Sequence, residues 1–461
     1  MPINISNLQT ELETNISALS NTVTADELLL ITNSVKEFGD DRIPSVANTD
    51  ALPLLYENDE VIFPSGQILY VEEFGVPVIS VTSRWLGLDG RVLRDDNLVS
   101  ILYGWGFGLL GQLGTGDQID RSSPVTVTGG ITNWSSVAAG YRHSLAVTNT
   151  GELYSWGVGF NGRLGTNDTI TRSSPVTVVG GITNWSSVAA GGRHSLGITD
   201  TGLLYAWGSN GFGRMGTGDE TSRNSPVTVT GGITNWSSVA AGDEHSLGLT
   251  DTGVLYAWGR GLYGRLGTGD ITNKSSPVTV AGGLTNWSSI ATNNFHSLGL
   301  TDTGVLYAWG EGKYGRLGTE DEIDRSSPVT VTGGITNWSS IDAGYSHSLG
   351  VTDTGLLYAW GGGGWQNDGK LGTNDTIDRS SPVTVTGGIT NWSSVAAGKH
   401  SLGLTDTGVL YAWGFGLNGV TGTNDVTKKS SPTTVVGGIT NWSSIDANSG
   451  HSLAINTYSG T

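Results

Sequence analysis

The chain has 461 residues, with 72 Gly, 16 Trp and no Cys, and its formal net charge is −18. The lack of Cys excludes a disulfide framework, thiolate metal sites and Cys nucleophiles. The acidity repels phosphate backbones, so no nucleic-acid partner is expected; without a run of about 20 apolar residues, neither is membrane insertion.

Residues 1–98 share nothing with the rest of the chain, and the first 104 residues hold 16 acidic against 5 basic residues. Ile5, Leu8, Leu12, Ile16, Leu19 and Val23 step by three or four, which predicts a helix with a narrow apolar stripe. Asp26 to Phe38 predicts a second helical stretch. Residues 1–40 therefore read as an attachment or oligomerisation segment. Its stripe can bury against another copy, giving a homo-oligomer, or against the chain's own body; six positions do not fix a strand number. In 41–98, Pro44, Pro53 and Pro64 punctuate an irregular linker. Gln67 to Glu73 and Val76 to Ser83 then predict strands around Gly75, and Trp85 with Leu86 to Arg91 closes a small β module.

From residue 99 to 461 the chain repeats itself. Thr-Asn-Trp-Ser-Ser places Trp134, Trp185, Trp236, Trp287, Trp338, Trp392 and Trp442 at spacings of 51, 51, 51, 51, 54 and 50. A Trp-Gly step, a His-Ser-Leu and a Ser-Pro each recur seven times as well. Residues 185–230 show what one unit encodes. Trp185 to Gly191 and His194 to Thr199 read as strands, and Asp200-Thr201-Gly202 as a turn. Leu203 to Trp207 is a third strand; after a Gly-rich loop, Pro226 to Thr230 is a short outer strand, where a proline is tolerated. Four short strands per roughly 50 residues, seven times over, predict an all-β fold: a seven-bladed β-propeller. The first Trp-Gly, at Trp105, has no Trp-Ser-Ser before it, and the last His-Ser-Leu, at His451, has no Trp-Gly after it. The two ends are thus complementary halves of one blade, which closes the ring and removes two exposed edges.

Comparing the seven copies locates their divergence. The Thr-Asp-Thr-Gly turn and the Gly-Gly-Ile-Thr-Asn-Trp link are nearly constant. Variation falls in the loop before His-Ser-Leu, including Tyr141, Arg142, Phe295 and Tyr345, and in the loop after Trp-Gly, including Phe160, Phe212, Tyr263, Tyr314, Trp365, Gln366 and Phe415. In a four-stranded antiparallel meander both loops lie on one face, so these residues form the candidate ligand-binding surface. The seven His are one per blade and read as structural hydrogen-bonding groups rather than metal ligands. The Asp after each Gly-Thr-x reads as a turn residue rather than a Ca²⁺ ligand. Gly259-Arg260-Gly261-Leu262-Tyr263-Gly264 matches a dinucleotide fingerprint in letters, but no long helix follows it. No asymmetric Ser-His-Asp set stands out, so no enzyme activity, cofactor or metal is expected.

Gly-x-x-His-Ser-Leu, Asp-Thr-Gly-x-Leu-Tyr-Ala-Trp-Gly and Gly-Arg-Leu-Gly-Thr resemble the regulator of chromosome condensation repeat, over about residues 99–461. That resemblance implies a propeller used as a binding scaffold, in a family that includes a nucleotide exchange factor for a small GTPase and bacterial β-lactamase inhibitors. Ser65 to Glu73, with Trp85 and Leu88-Asp89-Gly90-Arg91, resembles modules of marine phage structural proteins. The combined expectation is a virion appendage protein, located on the extracellular particle. Its arm would attach to other virion proteins and its propeller face to a host-surface glycan or protein. The alternatives are a soluble protein-binding or inhibitor propeller and an exchange-factor-like regulator.

Overall fold

The computed structural model describes six short strands between Leu55 and Leu93 by their backbone, and residues 98–459 apart from 363–367. The apolar stripe from Ile5 to Val23, and Trp365 and Gln366, lie outside the described residues. The chain divides into two units, 1–98 and 99–460.

In the first unit, β1 (Leu55–Glu57), β2 (Glu60–Ile62), β3 (Ile68–Val71), β4 (Val76–Val81), β5 (Arg84–Gly87) and β6 (Val92–Leu93) form one sheet in sequential order. The strands expected around Gly75 are β3 and β4. The linker reading missed β1 and β2, because three residues are too few to display an alternating pattern.

The second unit is the seven-bladed ring. Its first strands are β7 (Leu98–Gly106) and β8 (Arg121–Thr126). Blade 1 follows with β9 (Trp134–Ala139), β10 (His143–Thr148), β11 (Leu153–Gly157) and β12 (Arg172–Thr177). Blades 2 to 6 repeat this order, opening at Trp185, Trp236, Trp287, Trp338 and Trp392. Blade 7 combines β33 (Trp442–Ala447) and β34 (His451–Ser459) with β7 and β8 in one sheet, so both ends of the repeat region share a blade.

The apolar core lies in the seams between blades. At each seam a cluster joins Leu and Ala side chains of one blade to two Trp of the next, as where Leu145, Val147 and Leu153 meet Trp185 and Trp207. The Trp-Gly tryptophans are fully buried, and each tilts or stands edge-on against the Trp-Ser-Ser ring of its own blade, with centroids 5.9 Å apart for Trp185 and Trp207. Burying such large rings dominates the stabilisation, at about 2–3 kcal/mol per ring or more.

A polar circuit lies inside this apolar layer. Each His Nε2 meets the Ser Oγ of the following blade: His143 with Ser195 at 2.9 Å, His194 with Ser246 at 2.8 Å, and so on around to His451 with Ser144 at 2.8 Å. Each Ser hydroxyl also points at a carbonyl of the preceding blade's Gly-Arg-Leu segment, as Ser195 at Arg163 O, 2.8 Å. A hydroxyl has one proton, and the carbonyl only accepts, so Nε2–H is the donor to Ser. Nδ1 then carries no proton and makes no hydrogen bond in any of the seven. In blade 1 the ring lies against Gly140, where an added Cβ would stand 2.6 Å from Nδ1. Burial holds His400 and His451 down at about 3 and drives the other five well below the usual imidazole range. The histidines are neutral ties between blades, with Nε2 occupied.

Candidate functional site

Each blade's first and third loops meet on one face of the ring, as where Val158 N donates to Arg142 O and Ser209 N to Arg193 O. The constant turn and link meet on the other, as where Asp200 N donates to Asn184 O. Among the described residues the divergent segments therefore share one face, as the meander geometry requires.

That face is built on cations. The Arg of each Gly-Arg-Leu segment extends from the third loop to the first loop of the next blade. Arg163 Nη1 donates to Gly192 O at 3.1 Å, Arg214 Nη1 to Asp243 O at 3.0 Å and Arg265 Nη1 to Asn294 O at 2.9 Å. The side chains are nearly inaccessible, and Arg316 and Lys370 occupy the same position in blades 4 and 5. Burying a guanidinium is costly unless its donors are met; carbonyls meet some here, and carboxylates stand beside Arg265, Arg316 and Lys370.

Aromatic rings lie over these cations. Phe212 has Arg260 at 4.7 Å and Arg214 at 5.8 Å from its centroid. Tyr263 and Phe295 meet edge to face at 6.2 Å, with Arg265 near both. Phe295 meets Tyr345 at 5.7 Å, and Arg316 stands by Phe295 and Tyr314. Lys399 completes the series over Tyr345. The layer crosses blades 2 to 6, with Glu244 joining Arg260 to Arg265 between its first two groups. Its rings are half-buried rather than free, because each is packed across a seam.

Phe212, Tyr263 and Tyr314 also have φ of 64°, 63° and 62°. Blades 1 and 6 carry Asn161 and Asn418 at this left-handed position, a residue type that tolerates it. A bulky side chain there is strained by about 1–2 kcal/mol. Phe160 does not belong to this set: it sits one position earlier, and the residue is 65% exposed. Tyr141 is half-buried beneath Arg142, which is exposed, and Phe415 is half-buried.

The reading of the sequence missed two Asp in the channel that runs through the ring, a space of about 170 Å³. The inner strands mostly place Ala at this point, but blades 5 and 7 have Asp342 and Asp446. Asp446 accepts from Ala447 N at 2.8 Å and from Ala139 N of blade 1 at 2.7 Å; Asp342 accepts from Ala343 N at 2.8 Å and from Ala397 N of blade 6 at 2.6 Å. Desolvation raises both acids, Asp446 to about 6 and Asp342 well above the usual carboxylate range, with Asp446 adding repulsion on Asp342. Both lie in a divergent dipeptide, Ile-Asp for Val-Ala, and that was the available signal. The Asp after each Gly-Thr-x makes the expected turn: Asp168 accepts from Thr166 Oγ1 and Ile170 N and pairs with Arg172 at 2.7 Å. Among the described residues no group of three or more His, Asp or Glu could hold a metal ion, and no helix is long and apolar enough to cross a membrane.

Residues 102–455 match the model of the RCC1-like domain. The chain belongs to the RCC1-like domain family. It is 35% identical over 319 residues to the ultraviolet-B receptor UVR8 of Arabidopsis thaliana, covering 68% of this chain and 70% of that one. The RCC1-like fold recurs in human WBSCR16, with a TM-score of 0.70 at 22% identity over 77% of this chain and 98% of that one. It recurs too in Prp20p of Saccharomyces cerevisiae, described with its binding to Gsp1p and histones: the TM-score is 0.68 at 22% identity, over 78% of this chain and 91% of that one. These relatives are plant, human and yeast cellular proteins, which overturns the expected location on a virion. The phage-like segment around Ser65 misled because it is short and unspecific, and no relative supports tail-fibre, virion-partner or host-glycan roles. The propeller motifs, spread over seven copies, identified their family. Most RCC1-like propellers are regulators or binding proteins rather than catalysts.

Proposed function

We propose that this chain is a protein-binding propeller that docks a partner on its loop face, as a regulator or scaffold without catalysis of its own. One observation carries the reading: blades 2 to 4 keep Phe212, Tyr263 and Tyr314 in a left-handed conformation that sister copies fill with Asn. Strain held at three successive copies, on the face where the copies diverge, is a feature of ligand clamps and docking sites. Rigid aromatic rings beside Arg are also the residue types that dominate protein interfaces.

The test exploits that strain. Phe212→Asn, Tyr263→Asn and Tyr314→Asn together relieve the backbone while removing the rings. A photo-crosslinker placed at Tyr345 in the full chain is expected to trap a discrete partner, and one at Thr201 on the opposite face to trap none. In the triple Asn background, capture is expected to fall at least tenfold while the thermal midpoint holds or rises. Equal capture from both faces, or unchanged capture in the triple variant, refutes the reading. Exchange on a small GTPase is the narrower alternative. The copies are nearly uniform in length, with three extra residues only in the loop around Trp365, so blade-specific insertions to wedge a GTPase are lacking. Accelerated release of labelled GDP by a captured GTPase would favour it.

A further inference from the structure

The seam between blades 1 and 2 breaks the charge pattern of the face. In three other blades the buried cation has a carboxylate beside it: Glu244 is 3.6 Å from Arg265, Glu311 is 2.8 Å from Arg316, and Asp368 is 3.8 Å from Lys370. Arg163 is as deeply buried, at 4% exposure, yet Nε and Nη1 reach only the carbonyls of Phe160 and Gly192, both at 3.1 Å. After desolvation, the influences on Arg163 are repulsions from Arg193, Arg142 and Arg214. Among the described residues, Arg142, Arg163 and Arg193 form no ion pair. Arg142 and Arg193 are exposed. Asp243 of blade 3 feels Arg214, Arg265 and Arg193 and bounds the patch on that side. Beside the patch stands Phe160, whose carbonyl accepts from Arg163 and which is largely exposed.

A cluster of like charges without an ion-paired carboxylate is unusual in a chain of net charge −18. It repels itself, and an anion placed over it relieves that repulsion while gaining charge-assisted hydrogen bonds. The bare aromatic ring adds an apolar contact, so the complement carries both features. We infer that this seam docks an acidic segment of a partner protein, its carboxylates over Arg142 and Arg193 and an apolar side chain on Phe160. The inference rests on the protein-binding reading above and gives the partner its chemistry.

The probe is a fluorescein-labelled twelve-residue peptide of alternating Glu and Leu pairs, compared with its Gln counterpart, by anisotropy on the full chain. The Glu peptide is expected to bind at least about tenfold more tightly than the Gln peptide, and more weakly as salt rises. Arg142→Glu with Arg193→Glu is expected to cost at least about tenfold, and Phe160→Ala about threefold. Lys428→Glu, the charge change of a single Arg→Glu variant made at an exposed site on blade 6, is expected to cost less than about twofold. Thermal midpoints confirm that each variant is folded. Equal binding of both peptides, or equal losses from Lys428→Glu and a single Arg193→Glu, overturns the acidic site. If the crosslinker at Tyr345 still captures a partner in that event, the general protein-binding reading stands; if capture also fails, both fall.

Discussion

Mild acid attacks the ring of histidines. Their folded values lie far below normal, at about 3 for His400 and His451, whereas in the unfolded chain each protonates near about 6.5. Below about 6.5 the unfolded state binds more protons, so stability falls as the pH drops from there toward about 3. Each histidine contributes a slope of about 1.4 kcal/mol per pH unit once its unfolded form is charged, and seven together approach ~10 kcal/mol per unit. Asp342 and Asp446 act oppositely. Their folded values are raised, Asp446 to about 6, so for Asp446 the native state takes up the extra proton from about 6 down to the unfolded carboxylate value near 3.9, and Asp342 acts with the same sign. Their offset is at most about 1.4 kcal/mol per unit each, leaving a net loss of ~7 kcal/mol per unit. The Asp-Arg turns enter only later, since their carboxylates are lowered and lose their advantage below about pH 4. Against a total stability of about 5–15 kcal/mol, the acid midpoint falls at roughly pH 4.5–5.5. Urea melts followed by tryptophan fluorescence and far-ultraviolet circular dichroism, at about pH 7.5, 6.5 and 5.5, measure the slope. Urea midpoints unchanged across that range, or imidazole proton resonances of the folded chain titrating near 6.5, refute the assignment of seven neutral, enclosed histidines.

Three further outcomes follow from the same geometry. Ser195→Ala leaves His143 Nε2–H and the Arg163 carbonyl each one partner short, and is expected to lower stability by about 1–3 kcal/mol in a urea melt. Asp446→Ala strips the acceptor from Ala139 N and Ala447 N at the closing seam; a loss of about 1–3 kcal/mol near neutral pH is expected, with a steeper acid slope because one offsetting group is gone. Ending the chain after Asn441 removes β33 and β34, uncovers Trp105 and opens the ring. Loss of the cooperative thermal transition is expected by calorimetry, and an unchanged transition would mean that the shared blade does not hold the circle closed.

Much of this molecule is legible in its letters because it is written seven times. A motif repeated at a fixed spacing reports one strand-turn-strand unit, and the unmatched halves at Trp105 and His451 report how the circle shuts. The common face of the divergent loops follows from counting connections in a meander, which needs no coordinates. Single residues were harder to place. Phe160 and Phe212 look equivalent in sequence, yet a shift of one position puts the first in solvent and the second in a strained stack over Arg214 and Arg260. Asp342 and Asp446 read as ordinary divergence until the ring closes and sets each carboxylate against the backbone N–H of the next blade. Sequence periodicity encodes what lies within a blade, because those contacts are local. Contacts across the seams join residues about 50 positions apart, or more than 300 at the closing blade, and only the closed ring decides which cations find a carboxylate there.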